Sequence, residues 1–288
     1  MPGWRGVFVC GLLLWLASIA ALVLTDDDIL LPSVVLLGSF LTPVTVIFWF
    51  VERGGVTALT PRRLLAGFFV AGVLGLLVAA VLETWLLPDR LLPNVWIGLI
   101  EELLKGLGVW VLARGLREYT VRDGVLLGTT VGLGFGAFEA AGYTLAWGMD
   151  ASGQFDLSDM LAEEVMRIAV APFCHGVWTG LLGGVLFACR GRLTWKVLWA
   201  YLAASSLHAL WDGSSTAGIV VTVLASGTET QRTDLSNGDL PMPSTLEPQW
   251  LYGGVQWAVM IAVALLGLIL LRERWLGAND AAEPEMAR

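Results

Sequence analysis

The sequence predicts an all-α, polytopic membrane bundle of about eight transmembrane helices, with both termini cytoplasmic. Composition sets the class: 56% of residues are hydrophobic and 15% charged, and the mean hydropathy is +0.73. A soluble chain of this length carries about a quarter charged residues. Apolar runs long enough for a hydrocarbon core of ~30 Å recur along the whole chain. Finally, lysine and arginine collect in alternate loops, as the positive-inside rule requires.

In order, the first run is Gly6–Leu24, closed by Asp26, Asp27 and Asp28. It is longer than the ~7–15 apolar residues of a secretory signal, so it reads as a retained helix. Ile29–Val51 follows, with Pro32 and Pro43, then Leu64–Leu87 with Glu83 near its far end. The fourth run, Leu91–Leu112, holds charges at its centre. The fifth, Gly124–Trp147, includes Gly128, Gly132, Gly134, Gly136 and Gly142, which permit close helix approach and predict a place in the bundle centre. An acidic loop from Asp150 to Glu164 leads into Val165–Cys189, in which Arg167 is expected to snorkel or to pair with Glu163 or Glu164. The seventh run starts at Trp195 and stays apolar to Ala225, too long for one straight crossing, so a kink near Gly213 is expected. A polar loop, Ser226–Gln249, precedes the eighth run, Trp250–Leu271, and the tail from 273 to 288 is expected to be polar and disordered.

These runs predict a single integral membrane domain over 1–288, its core at about 91–225. Arg5, Arg53, Arg62, Arg63, Arg114, Arg117, Arg122, Arg190, Arg192, Lys196, Arg272 and Arg274 fall on one side, and only Arg90 and Arg232 on the other. That asymmetry assigns the first side to the cytoplasm. A net charge of −8, with no basic patch, argues against nucleic acid as a partner. Cys10, Cys174 and Cys189 lie inside apolar runs without ligand-type spacing and read as core residues.

The chemistry resides in charges that lipid should exclude. Glu101, Glu102 and Lys105 sit mid-run, where each charge costs several kcal/mol without a partner. Lys105 lies four residues after Glu101 and three after Glu102, within reach of both on one helical face. At ~1.5 Å per residue, Glu101, Glu139 and His175 lie roughly 12–17 Å below the outer surface. His208 and Asp212, one helical turn apart, reach the same layer from the other end, and the chain has no histidine besides these two. Carboxylates with imidazoles make a donor set for a divalent metal, and a remaining carboxylate can activate water. A proton- or ion-coupled transporter would use the same residue types.

The ordered set Glu-Glu-x-x-Lys at 101–105, Phe-x-x-x-Glu at 135–139, His175 and His-x-x-x-Asp at 208–212 resembles the PrsW family of intramembrane proteases. That family is related to the CAAX prenyl proteases and the bacteriocin-processing enzymes, whose corresponding motifs carry Arg, His and Asn variants. The resemblance spans Glu101 to Asp212; the first three runs and the last match in hydropathy alone. It implies hydrolysis of a membrane-anchored protein, such as an anti-sigma-factor-like regulator, in a bacterial cell membrane. Either Glu of the pair can serve as general base; Glu101 is the first candidate, with Glu102 supporting it and Lys105 holding the pair ionised. Glu139, His175, His208 and Asp212 are then the ligands of a divalent metal, zinc in the first place, or polarise the scissile carbonyl without one. Other intramembrane protease chemistries fit worse: no His-Glu-x-x-His occurs, Asp212 is the lone membrane-embedded Asp, and Gly213-Ser214-Ser215 does not form a Gly-x-Ser-Gly turn.

Overall fold

The computed structural model describes residues 3–53, 58–87, 92–149 and 155–280. The expected loop residues Arg90 and Asp150, and the tail from 281 to 288, lie outside them. The described residues are helical, with no strand beyond an isolated bridge between Met149 and Phe155.

Helix α1 (Trp4–Thr25) ends where Asp26 turns left-handed at φ 51° and returns its N–H to Leu22. Asp27 then accepts the Ile29 N–H at 3.1 Å, starting the turn that feeds α2 (Leu31–Arg53). Helix α3 (Pro61–Leu86) is capped by Thr60 and contains a π-helical stretch at Ala66–Ala71. Pro93, at the first turn where its missing N–H costs nothing, opens α4 (Pro93–Ala113). Thr120 caps α5 (Val121–Trp147). Then come α6 (Leu157–Val170), α7 (His175–Ala188), α8 (Trp195–Asp212), α9 (Ser214–Ser226), the short α10 (Glu229–Asn237) and α11 (Gln249–Asp280).

Among the described residues, six segments are long and apolar enough to cross a membrane: α1, Asp28–Arg53, α3, α5, Leu157–Ala188 and Gln249–Gly277. Helices α4 and α8, of 21 and 18 residues, have the length but carry the intramembrane charges, which lower their apolarity. As its glycines predict, α5 is the centre, packing on α7 and also on α2, α3 and α6. Its contact with α7 is backbone to backbone: a Cβ on Gly132 would lie 2.7 Å from the His175 carbonyl carbon, and one on Gly128 2.9 Å from that of Thr179. Helix α8 crosses α4 as closely, since a Cβ on Gly98 would stand 3.2 Å from the Ala209 nitrogen.

Arginine-bearing ends gather as expected. Arg63 donates to the Arg114 carbonyl at 3.2 Å, Trp110 to that of Gly191 at 3.0 Å, and Arg122 lies over the Trp275 ring at 5.1 Å.

Three expectations are corrected. The run Val165–Cys189 is not one helix: it breaks at Ala171–Phe173, where Pro172 interrupts the ladder, and restarts at His175, at the start of a helix rather than near its middle. The stretch expected as an acidic loop up to Glu164 is helical from Leu157, and Glu164 is fully buried, accepting the Trp15 indole N–H at 3.1 Å. The helix of the eighth run, α11, continues to Asp280, past the predicted end of order, because Trp275 packs edge-on against Phe50 at 5.3 Å. The kink expected near Gly213 is present, between α8 and α9.

Candidate active site

Helices α4, α5, α7 and α8 bring all seven singled-out residues into one contiguous network. Glu101, Glu102 and Lys105 share a face of α4, as the three- and four-residue spacings require. Lys105 is fully buried, and its Nζ is 3.0 Å from Glu101 Oε2, 2.8 Å from Glu102 Oε1 and 2.8 Å from His175 Nδ1. The Phe135 ring closes the ammonium's remaining side at 4.1 Å, a cation–π contact inside the bundle.

The two glutamates sit in different surroundings. Glu102 is fully enclosed: Oε1 meets Lys105 and, at 3.2 Å, His208 Nδ1, while Oε2 accepts the Thr179 hydroxyl at 3.0 Å. Glu101 meets Lys105 and, at 3.6 Å, His208 Nε2 through Oε2. Its Oε1 takes no hydrogen bond among the described residues, and its side chain lines a cavity of about 760 Å³.

Each imidazole is held at both nitrogens. His175 lies between Lys105 and Glu139, whose Oε2 is 3.0 Å from its Nε2. His208 lies between Glu102 and Asp212, whose Oδ2 is 3.2 Å from its Nε2. The rings stand edge to face at 4.9 Å, and Trp178 stacks on His208 at 4.8 Å. Ligand atoms of Glu101, His175 and His208 lie within 4.8 Å of one another, a carboxylate and two imidazoles suited to a divalent ion. Glu139 and Asp212, expected as ligands alongside the histidines, attach to this trio as the acidic partners of its two rings.

Sequence reasoning missed several members. Thr179 and Trp178 follow His175 by four and three residues, so helical spacing marked the right face. A hydroxyl or an indole is unremarkable in a membrane helix, however, whereas a charge is not. Phe135 belonged to a quoted motif but had no role. Glu83 stood out as an acid in an apolar run, and the structure places it in the wall of the same cavity. Arg167 also lines that cavity and pairs with Glu163 at 2.6 Å, one of the two partners expected.

The cavity, the enclosed cation and the two carboxylate-buttressed imidazoles suit hydrolysis at membrane depth. The family model of the PrsW family intramembrane metalloproteases matches residues 60–228, more than half of the chain and wider than the motif-bearing stretch, since it takes in α3 and α9. No curated protein and no solved structure gives a match. With the motif residues assembled in one site and the match running through all of them, the chain belongs to the PrsW family of intramembrane metalloproteases and is a membrane-embedded peptidase.

Proposed function

We propose that this peptidase hydrolyses a peptide bond of a membrane-anchored protein, an anti-sigma-factor-like regulator being the expected class, using water activated by Glu101. The observation that carries this reading is the split fate of the acidic pair. Every oxygen of Glu102 is committed to Lys105, His208 or Thr179, whereas Glu101 lines the cavity and leaves Oε1 without a hydrogen bond among the described residues. A general base needs a free lone pair toward the water it deprotonates. Glu101 takes the proton as the water oxygen bonds to the scissile carbonyl carbon. It then returns that proton to the departing nitrogen as the C–N bond breaks. Glu102 and Lys105 hold Glu101 in place, and an imidazole that exchanges its Glu139 or Asp212 partner for the carbonyl oxygen donates an N–H where charge develops.

The donor types at Glu101, His175 and His208 fit a divalent ion, zinc being the first candidate. His175 and His208 would hold it, with Glu101, Glu139 and Asp212 as the adjacent carboxylates. When bound, such an ion supplies Lewis-acid polarisation of the carbonyl. The remaining expectations join this reading: eight crossings, cytoplasmic termini, a bacterial cell membrane and a single domain over 1–288.

Two assays test it. Purified protein should hold close to one divalent ion by elemental analysis, and His208→Ala should lose it. Metal-free protein with full activity would remove the ion and leave Glu101 chemistry standing. In sealed vesicles, proton or ion flux without cleavage of any embedded protein would contradict the protease reading and favour a transporter.

A further inference from the structure

Hydrolysis needs water in the catalytic cavity, yet a substrate helix resides in lipid, and moving an apolar span through water is disfavoured. The protein needs a lateral way in, and two apolar grooves on its flank compete for that role. One, of about 460 Å³, runs between α1, α2, α3 and α5 and is lined by Gly11, Leu37, Phe40, Val44, Phe69 and Phe138 among others. The other, of about 470 Å³, lies between α4, α7 and α8 and ends on Glu102.

Only the first borders the cavity. Phe138 lines both the groove and the cavity, and it precedes Glu139 in α5. On α2 two consecutive residues line the two spaces, Pro43 the cavity and Val44 the groove. The second groove shares no lining residue with the cavity, and Glu102 at its end is sealed by its three partners.

Between groove and cavity stands a cluster of aromatic rings. Phe40 meets Phe138 edge-on at 5.0 Å and Phe68 at 5.4 Å, and Phe69 lies 6.2 Å from Phe138. Both helices that carry the outer rings are irregular at this level. Pro43 lacks the N–H that would bond the Ser39 carbonyl, and Phe68 and Phe69 sit within the π-helical stretch of α3. Phe69 is 47% exposed on the flank that lipid would bathe.

Resting on the protease reading, we infer that the α1–α2–α3 groove is the docking port for the substrate's transmembrane helix and that the Phe40–Phe69–Phe138 cluster is the gate it passes to reach Glu101. Apolar side chains of the incoming helix replace the rings' mutual contacts as the rings turn aside, so the passage opens without exposing apolar surface to water.

The test uses a panel of biotinylated single-span peptides, leucine- and alanine-rich with lysine flanks, reconstituted in vesicles. The probe is the member cut by wild type and not by Glu101→Gln; a panel with no such member contradicts the protease reading itself. With that probe, a benzophenone side chain at Leu37 in the Glu101→Gln protein should give at least tenfold more adduct than one at Leu198 in the second groove. Phe40→Ala should speed cleavage of the embedded probe several-fold and Phe40→Trp should slow it. Neither should change cleavage of a soluble peptide spanning the same bond, which also reports that the variants are folded. Adduct favouring Leu198, equal labelling at the two positions, or Phe40 variants that shift both substrates alike would overturn the port.

Discussion

Three acceptors converge on the ammonium of Lys105, and that crowding makes the residue a sensitive probe of the site. Removing one partner of a buried ionic set costs about 3–5 kcal/mol, because the charges left behind have lost their counter-ion. Lys105→Met should therefore lower the unfolding midpoint sharply in detergent and abolish cleavage. Glu101→Gln keeps size and hydrogen-bonding reach, so it should abolish cleavage with little change in that midpoint. Thr179→Val removes one donor to Glu102 and should cost about 1–3 kcal/mol, with partial loss of activity. The charged members were legible in the sequence because lipid gives a charge no ordinary reason to be there. Thr179, Trp178 and Phe135 were not, because hydroxyls and aromatic rings are common in membrane helices. The choice between Glu101 and Glu102 turns on which carboxyl lines the cavity shared with His175 and Asp212, and adjacent helical residues, pointing about 100° apart, leave that unreadable until neighbouring helices are placed.

At the scale of elements, the α5–α7 contact sets where His175 stands. Gly132→Ala forces a methyl against the His175 backbone and should cost about 1–3 kcal/mol as overpacking while reducing cleavage. Gly142 has open space around its Cβ position, so Gly142→Ala should leave the midpoint unchanged or slightly raised; thermal unfolding of the pair separates packing from helix propensity. That α5 is central could be read from its glycines. The break before His175 could not, because Pro172 sits in a run that stays apolar on both sides and membrane helices accommodate proline as a kink. Glu164 misled for a related reason: next to Glu163 in an acidic stretch it read as solvated. Its partner, Trp15, is 149 residues away on α1.

For the whole molecule, the proposed topology, with the arginine-rich ends in the cytoplasm, turns the cavity lined by Glu101, Glu139 and His175 toward the outer side. In a background lacking Cys10, Cys174 and Cys189, Gly142→Cys lines that cavity without crowding and should react with a membrane-impermeant thiol reagent added outside intact cells. Labelling from the cytoplasmic side alone would reverse the orientation. Hydropathy carries the helical architecture in the sequence because membrane insertion reads that same property. The lateral port was hidden, since it depends on which faces of α1, α2 and α3 meet.

The claim on which the rest depends is that Glu101 drives peptide-bond hydrolysis at membrane depth, and co-expression with candidate single-span membrane proteins tests it most directly. Fragment masses should place the cut in the outer half or outer juxtamembrane segment of one substrate's helix with the wild-type enzyme. The same substrate should remain intact with equal amounts of Glu101→Gln. A fragment that persists at wild-type levels with Glu101→Gln would contradict the account.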